Sequence, residues 1–552
     1  PGTWVESIQI TKGAGSVVNG YESISGQINT ELIKPINDIP FFLNAYGSTD
    51  SRFELNTHFN TQLSQKWSSS LFVHGNTRVS KMDQNNDGFM DNPLAKQINV
   101  MNRYQYYDAE KGLVSFINFR YMNDKKQSGE VDFDPDRDRG ATNRWGSEIN
   151  TQRLDLATKV GYVFKDMPFQ SIGFQNAFTL HNQNSYYGLN VYDIKQSSFY
   201  SNLIFNSIIN NTKHKFATGI NFAYDNYNEF VGLTDYGRVD NSVGAFFEYT
   251  YDNDDNFSLV LGGRVDNHNR LGTFVTPRLH LRYNPWEKSV LRFSAGRGKR
   301  AANIFAENQS LFASSRTFSI LDTDGKIYGL NPEIAWNYGL SFNQKFQLFG
   351  RNGDAGFDLY RTDFQNQAVV DVMQSPQQVL FYNLKGKSYA TSLQIEFNYE
   401  LANRFSLRSA YKYYDIQTQY LSGVYQRPLQ AKHRFFGNLE YETGRSESGS
   451  QWRFDATYNW LGKQQLPVTA SNPAQDRLPE FSPSYNLINA QVTHVFSSNF
   501  EIYVGGENIG NYKQSKAILG AETPFGPTFD ASIVYAPIFG QMYYAGLRFK
   551  IK

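Results

Sequence analysis

The chain has 552 residues, of which 16% are aromatic, and its 53 basic and 52 acidic side chains give a formal net charge of +1. So balanced a charge gives no electrostatic basis for nucleic-acid binding, and the lack of cysteine excludes disulfides, thiolate metal sites and cysteine nucleophiles. The mean hydropathy is -0.53, and no stretch approaches the roughly 20 apolar residues that a membrane-spanning helix needs.

The opening differs from everything that follows it. Two short β-type stretches, VESIQI and SGQINTEL, flank the glycine-rich turn KGAGSVVNG. Gly13, Gly15 and Gly20 permit the positive φ of tight turns, and Gly26 permits a close backbone approach. An ordinary hairpin would explain these glycines equally well. The opening has no initiator Met, charged n-region or apolar h-region, so it does not read as a targeting segment.

The rest of the chain is a series of alternating, aromatic-rich segments. In RLDLATKVGYVF (Arg153 to Phe164) the aliphatic and aromatic residues alternate with the polar ones, which sends the two sets to opposite faces of a strand. A Lys or Arg facing lipid costs roughly 2–4 kcal/mol at mid-bilayer. The charged face therefore points to water or a lumen, and the apolar face points to lipid. The pattern recurs in HKFATGINFAYD, NFSLVLGGRVDNH, YATSLQIEFNY and QWRFDATYNW.

The joints between these segments predict the architecture. Short joints rich in Asn, Asp, Gly, Pro and Lys alternate with long ones, so all long joints lie at one end of an up-and-down sheet. We count about 22 strands, which is typical of a plugged transmembrane β-barrel. A soluble β-sandwich, the alternative, would not need one-sided loops. The long joints are expected near residues 80–97, 124–149, 182–197, 226–241, 298–333, 366–388, 414–432, 461–484 and 508–540.

One loop carries a metal-type motif, KMDQNNDGFMDNP. Asp83, Asn85, Asp87 and Asp91 follow the first half of an EF-hand loop, in which alternating oxygen ligands surround a hard cation. The twelfth position is Leu94, so the usual bidentate acid is missing. A structural Ca²⁺ in an extracellular loop and an Asx-rich turn without metal are equally good interpretations.

Two other loops supply candidate ligand contacts. Tyr186 and Tyr187 lie in NQNSYYGLNVYD, while Arg297 and Arg300 lie in GRGKRAAN. Aromatic and cationic side chains at a barrel mouth suit a planar or anionic chelate, although each one could be an ordinary solvated or girdle residue. The eight His are scattered and no catalytic constellation is present, so we expect no enzyme and no required cofactor.

The opening resembles the C-terminal part of the plug domain of TonB-dependent outer-membrane receptors, whose plugs run "GxxSxxYG" and then "GGxINxxTK". Further segments are similar to strands of that family: TPRLHLRYNP, LNPEIAWNYGLSF and YVGGENIGNY. The chain departs from the family at Asn19, where an aromatic is usual, and at Lys552, where many such barrels end in an aromatic. The residues that match the plug motif are Lys12, Gly13, Ser16, Gly20, Gly26, Ile28 and Asn29.

The resemblance implies the end of a plug with its linker over residues 1–36, followed by a transmembrane barrel over 37–552. It places the protein among the lipids of a Gram-negative outer membrane, with long loops extracellular and both barrel ends periplasmic. The TonB–ExbB–ExbD complex would energise it through a segment preceding residue 1.

The expected activity is import of a scarce metal chelate: a siderophore, haem or cobalamin. Two alternatives stay open. The first is an oligosaccharide or peptide importer that works with a surface lipoprotein. The second is a receptor-like barrel that serves as a structural subunit of an envelope complex.

Overall fold

The computed structural model describes residues 1–552 and is almost entirely β-structure. Its strands are β1 Val5–Lys12, β2 Gly26–Leu32, β3 Phe41–Ser48, β4 Arg52–Gln62, β5 Trp67–Arg78, β6 Leu94–Asp108, β7 Leu113–Gly129, β8 Gly146–Val163, β9 Ser171–Tyr187, β10 Asn190–Ile209, β11 Asn211–Val231, β12 Thr234–Asp235, β13 Arg238–Asp252, β14 Phe257–His268 and β15 Gly272–Tyr283. They continue with β16 Ser289–Arg300, β17 Thr317–Ile320, β18 Glu333–Leu348, β19 Arg351–Asn366, β20 Ala368–Asp371, β21 Gln378–Asn383, β22 Ser388–Ala402, β23 Phe405–Tyr420, β24 Gly423–Gln426, β25 His433–Glu442, β26 Gln451–Leu461, β27 Tyr485–Ser497, β28 Phe500–Glu507 and β29 Met542–Ile551.

Helix is limited to short pieces. The α-helix α1 covers Pro135–Asp138, and five 3₁₀-helices cover Gly2–Trp4, Val17–Asn19, Pro35–Asn37, Ala306–Phe312 and Ala474–Asp476. No helix of the chain is long and apolar enough to cross a membrane.

The long strands close into one antiparallel barrel of 22 strands, which confirms the predicted fold class. Closure occurs where β29 pairs with β3, with Ile551 opposite Phe41 and Tyr544 opposite Ser48. The short strands β12 and β24 extend single hairpins, while β17, β21 and β20 form a separate sheet in which β17 runs parallel to β21. A closed barrel leaves no unpaired edge, which is the condition for a β-structure in lipid.

The two strand faces follow the predicted alternation. On β8, Leu156 and Val160 are 42% and 41% exposed on the outer face. Arg153 and Asp155, which point to the opposite face of the same strand, pair with each other at 2.8 Å. Asp155 also accepts a hydrogen bond from Thr179 on the neighbouring strand at 2.7 Å. The exposed apolar face is the surface that lipid covers.

The joints are less regular than the sequence predicts. The expected long loops at 182–197 and 226–241 are instead hairpins, because β9 and β10 continue to a turn at residues 188–189, and β11 and β13 continue to residues 232–237. The strand β11 has 21 residues, about twice what a tilted strand needs to cross a bilayer. The extra length stays extended because its backbone groups pair with the neighbouring strand. Two other joints at the same end, 49–51 and 269–271, are tight turns.

The largest apolar core lies among the outer loops. Phe305, Phe312, Phe381 and Phe529 are at most 1% exposed and pack with the buried end of the β9–β10 hairpin. These loops therefore form a packed layer over one end of the barrel. Aromatic burial and the pairing of the short sheet β17–β21–β20, which carries Phe381, both stabilise this layer.

Candidate functional site

The turn between β1 and β2 is seated against the inner wall of the barrel. Ala14 and Val17 are fully buried. They lie against wall glycines: a Cβ added at Gly262 would stand 2.9 Å from both γ-methyls of Val17, and one at Gly296 would stand 2.4 Å from the Ala14 Cβ. Both distances are far below van der Waals contact, so the wall needs glycine at these two positions.

Barrel side chains then hold the backbone of this turn. The Arg264 guanidinium donates to the Val17 carbonyl at 3.1 Å, and the Arg278 guanidinium donates to the Ser23 carbonyl at 2.6 Å. Arg264 is 1% exposed and forms a 2.6 Å ion pair with the equally buried Asp266. A fully buried charge survives only when it is paired and hydrogen-bonded. Here the turn's own carbonyl completes that shell.

Two polar residues of the predicted plug motif reach the wall. The Lys12 ammonium is bonded to the Asp358 carboxylate. The Ser16 hydroxyl donates to Glu248 at 2.7 Å and accepts the backbone N–H that opens the short helix Val17–Asn19. Lys12 and Ser16 therefore attach the beginning of the turn to two different barrel strands, β19 and β13.

The other motif residues shape the segment itself. Gly13 and Gly20 adopt φ values of +82° and +124°, which a side chain would strain. The prediction is wrong for Gly15, whose φ is not positive; a Cβ there would instead stand 2.8 Å from the Ser23 Oγ. Gly26 lies close to the facing strand, since an added Cβ would be 3.0 Å from a backbone oxygen. Asn29 donates across the β1–β2 pair to Gln9 at 3.1 Å.

A cavity of about 730 Å³ lies between the apex of this segment, residues 22–26, and the outer loops. Arg300 lines it, and its guanidinium donates to both Glu333 and Glu307 at 2.6 Å. Glu22 also lines it and faces the enclosed space. Enclosure raises the pKa of the Glu22 carboxyl above its ordinary value, and the charge of Arg300 opposes that rise.

The other three predicted ligand residues do not line this cavity. Tyr186 is buried at the tip of β9, where its hydroxyl donates to Glu148 at 2.8 Å. Tyr187 stacks on Phe312 with ring centroids 5.9 Å apart, within the outer aromatic core. Arg297 donates to Gln365 at 3.3 Å. The structure therefore brings Arg300 alone to the vestibule cavity, as we name this space.

The family model of TonB-dependent receptor-like β-barrels matches residues 91–509. The chain belongs to this family. The family consists of receptors and transporters, and this chain is an outer-membrane β-barrel of that type. No curated protein sequence matches the chain.

Solved structures of other receptors show the same fold. The ferric enterobactin receptor PfeA of Pseudomonas aeruginosa aligns with a TM-score of 0.74 at 12% identity, over 100% of this chain and 86% of that one. The siderophore receptor PirA of Acinetobacter baumannii gives 0.74 at 13% identity, over 100% and 86%. FpvA of P. aeruginosa, solved with bound pyoverdines, gives 0.73 at 13% identity, over 99% and 76%.

The acidic loop of this receptor holds its carboxylates in backbone contacts. Asp83 accepts the amide of Gly88 at 2.9 Å, and Asp91 accepts the amide of Gln84 at 2.8 Å. No three acidic or histidine side chains of the chain stand close enough together to hold a metal ion. One oxygen of Asn85 and one of Asp91 are buried without a partner. The loop fits an Asx-rich turn, and the Ca²⁺ site stays a prediction.

Burial raises the pKa of the Asp91 carboxyl to about 6, and the nearby Asp83 and Asp87 charges add to the rise. The backbone amide of Gln84 and the Lys513 charge oppose it. Burial also raises the pKa of Asp87. Burial therefore disfavours the ionised form of both carboxyls in this outer loop.

Sequence reasoning missed the barrel residues that hold the β1–β2 turn. Arg264 and Asp266 stand two positions apart on one strand face. Arg238 and Asp240 repeat this spacing and pair at 3.0 Å, but Arg238 donates to Glu229, Tyr328 and Asn303 rather than to the turn. An Arg–x–Asp spacing on the polar face of a membrane strand is a usable signal, because both charges point into the same lumen. The contribution of Glu22 to the vestibule carries no local signal.

Proposed function

We propose that this receptor imports a scarce metal chelate, with a siderophore-type iron complex as the leading candidate. The observation that carries the proposal is the vestibule cavity, which opens among the outer loops and is floored by the plug apex. Its volume of about 730 Å³ suits one small-molecule ligand. Receptors named for siderophores share the fold, which supports the same ligand class here.

The contacts that hold the plug to the barrel wall differ in strength. The turn is fixed by Arg264 and Arg278 through buried contacts, whereas Lys12 reaches Asp358 from a 40% exposed position. Exposed ion pairs contribute only about 0–1 kcal/mol. The Lys12 contact is therefore the one that a pull from the periplasm would break first.

A ligand leaving the vestibule would next meet the space beside β1. A cavity of about 600 Å³ lies there, lined in part by Lys12, Arg282 and Arg292. In this proposal the TonB–ExbB–ExbD complex supplies the work that opens a path between the two cavities. The proton gradient of the inner membrane would be its source.

Growth of a deletion strain tests the import proposal. We expect the strain to lose growth at limiting concentrations on one class of source among ferric chelates, haem and cobalamin. The gene supplied in trans should restore that growth. Unchanged growth and uptake on every source would contradict the proposal.

Two other functions would show themselves in the same strain. Loss of growth on an oligosaccharide or peptide, with co-purification of a surface lipoprotein, would favour that class of importer. Stoichiometric co-isolation with other envelope proteins and no ligand binding would favour a structural subunit.

A further inference from the structure

The ionisable side chains that line the vestibule cavity carry more negative than positive charge. Three carboxyl side chains face two guanidiniums, so acidic groups outnumber basic groups in the lining. The five residues are Glu22, Glu307, Glu333, Arg300 and Arg427.

The most prominent cation is already neutralised by the protein. Arg300 donates to Glu333 and Glu307 at 2.6 Å each, and Glu333 is only 7% exposed. Charge-assisted bonds of this length are strong. Releasing the guanidinium to an anionic ligand would leave two carboxylates together in an enclosed space. Arg300 with its partners therefore acts as a net negative unit.

The remaining two charges are opposite and unpaired. Neither Glu22 on the plug apex nor Arg427 on the outer side takes part in an ion pair of the chain, and both line the cavity. Coulomb interactions are stronger here than in bulk water, because the barrel wall keeps the local dielectric low. An anion near Arg427 would gain from that residue but would still meet the excess negative charge of the others.

Neutral hydrogen-bonding groups make up much of the remaining lining. They are hydroxyls and side-chain amides, including those of Ser23, Ser310, Thr362, Asn308 and Gln367. Such groups donate to and accept from an uncharged, oxygen-rich molecule without a large desolvation cost.

We propose that the vestibule takes an uncharged, oxygen-rich ligand in preference to an anionic chelate. A ferric complex of three hydroxamates is such a ligand, because the hydroxamate charges cancel that of the iron. A complex of three catecholates stays strongly anionic. This inference rests on the proposed import of a chelate. A neutral oligosaccharide shares the same chemistry, so the experiment includes one.

Binding to the full chain, purified in detergent, tests the inference. The probes are a neutral ferric trishydroxamate, a ferric triscatecholate and a neutral malto-oligosaccharide, measured by calorimetry at low and at high salt. We expect the trishydroxamate to bind about tenfold or more tightly than the triscatecholate at low salt, with a smaller ratio at high salt.

A single variant isolates the charge effect. At a pH above the raised pKa of Glu22, Glu22→Gln should improve triscatecholate binding about tenfold and leave trishydroxamate binding unchanged, because it removes one negative charge and keeps the shape. The matched control is Glu287→Gln, whose side chain is 88% exposed on a short turn far from the cavity. It should change neither affinity.

The outcomes separate this inference from the proposed function. Tighter binding of the triscatecholate, or no effect of Glu22→Gln, would overturn the charge preference and leave chelate import standing. Binding of the malto-oligosaccharide alone would support the charge preference and overturn chelate import. If none of the three probes binds, the charge preference falls, and growth of the deletion strain on haem and cobalamin then decides chelate import.

Discussion

The β1–β2 turn contacts two different surfaces. One is its seat on the barrel wall, formed by Gly262, Arg264, Arg278 and Gly296, and the other is the vestibule cavity. The two are built in opposite ways. In the seat, Val17 is fully buried, and Arg264 and Asp266 neutralise each other at 2.6 Å. In the vestibule, Glu22 and Arg427 face the cavity without ion-pair partners. The comparison separates a structural attachment, whose central Arg264–Asp266 pair is satisfied within the protein, from a binding surface, whose charged groups are free to meet a ligand.

The largest expected effect comes from breaking the seat. Arg264→Ala would leave Asp266 buried without its partner, and the loss of one member of such a pair costs about 3–5 kcal/mol. We expect residues 13–26 to exchange hydrogen for deuterium far faster than in the parent receptor. Conductance through a planar bilayer should rise as the segment leaves the wall.

The matched control for this change is Arg153→Ala. Arg153 pairs with Asp155 at 2.8 Å in the same two-residue spacing, but its side chain is 40% exposed. Its loss should cost about 0–1 kcal/mol and leave exchange in residues 13–26 unaltered. Equal effects of the two substitutions on exchange in residues 13–26 would show that the buried Arg264–Asp266 pair does not hold the turn on the wall.

A smaller effect should come from the wall glycine beneath Val17. A methyl group at Gly262 would stand 2.9 Å from Val17, so Gly262→Ala overpacks the seat at a cost of about 1–3 kcal/mol. Gly263→Ala on the next position is the control, because nothing lies within 4 Å of its Cβ. Faster exchange in residues 13–26 should follow the first substitution only. If both behave alike, close packing does not hold the turn.

The smallest expected effect concerns pH on the outer side. Burial raises the pKa of Asp91 to about 6, so the folded loop favours the protonated carboxyl. The contribution of this carboxyl to the free energy of unfolding is therefore present at low pH and is lost as the pH rises through 6. Ca²⁺ requires the ionised carboxylate, so affinity in the acidic loop should rise over the same interval. Calorimetric titration with Ca²⁺ at pH 5 to 8 measures how this affinity changes with pH.

Two variants sharpen that titration. Asp91→Asn should remove the pH dependence, whereas Asp132→Asn, on a side chain that is 75% exposed, should not. No Ca²⁺ binding at any pH would establish the Asx-rich turn without metal.

Much of the barrel is predictable from local pattern because lipid imposes a strict rule. The alternation around Leu156 follows from one apolar and one polar environment. Joint length is a weaker guide to the end of the barrel, because the outer joints 49–51 and 269–271 are as short as periplasmic turns. The hairpin of β9 and β10 was wrongly predicted as a loop. Beyond the bilayer the rule no longer applies, so strand length there depends on pairing partners.

The vestibule was predicted less well, for a physical reason. Arg300 was found because it ends a strand at the barrel mouth. Tyr186 and Tyr187 are predicted in another loop of the barrel mouth, but the tip of their hairpin packs into the outer aromatic core instead. Glu22 and Arg427 meet only because the plug and an outer loop face one cavity. No local pattern encodes such a meeting.

Uptake of radiolabelled iron tests the central claim most directly. The deletion strain carrying the parent gene would receive iron as a neutral trishydroxamate complex, with and without a functional TonB. The account predicts accumulation that needs both this receptor and TonB. Equal accumulation without the receptor, or accumulation through it that does not depend on TonB, would contradict the account.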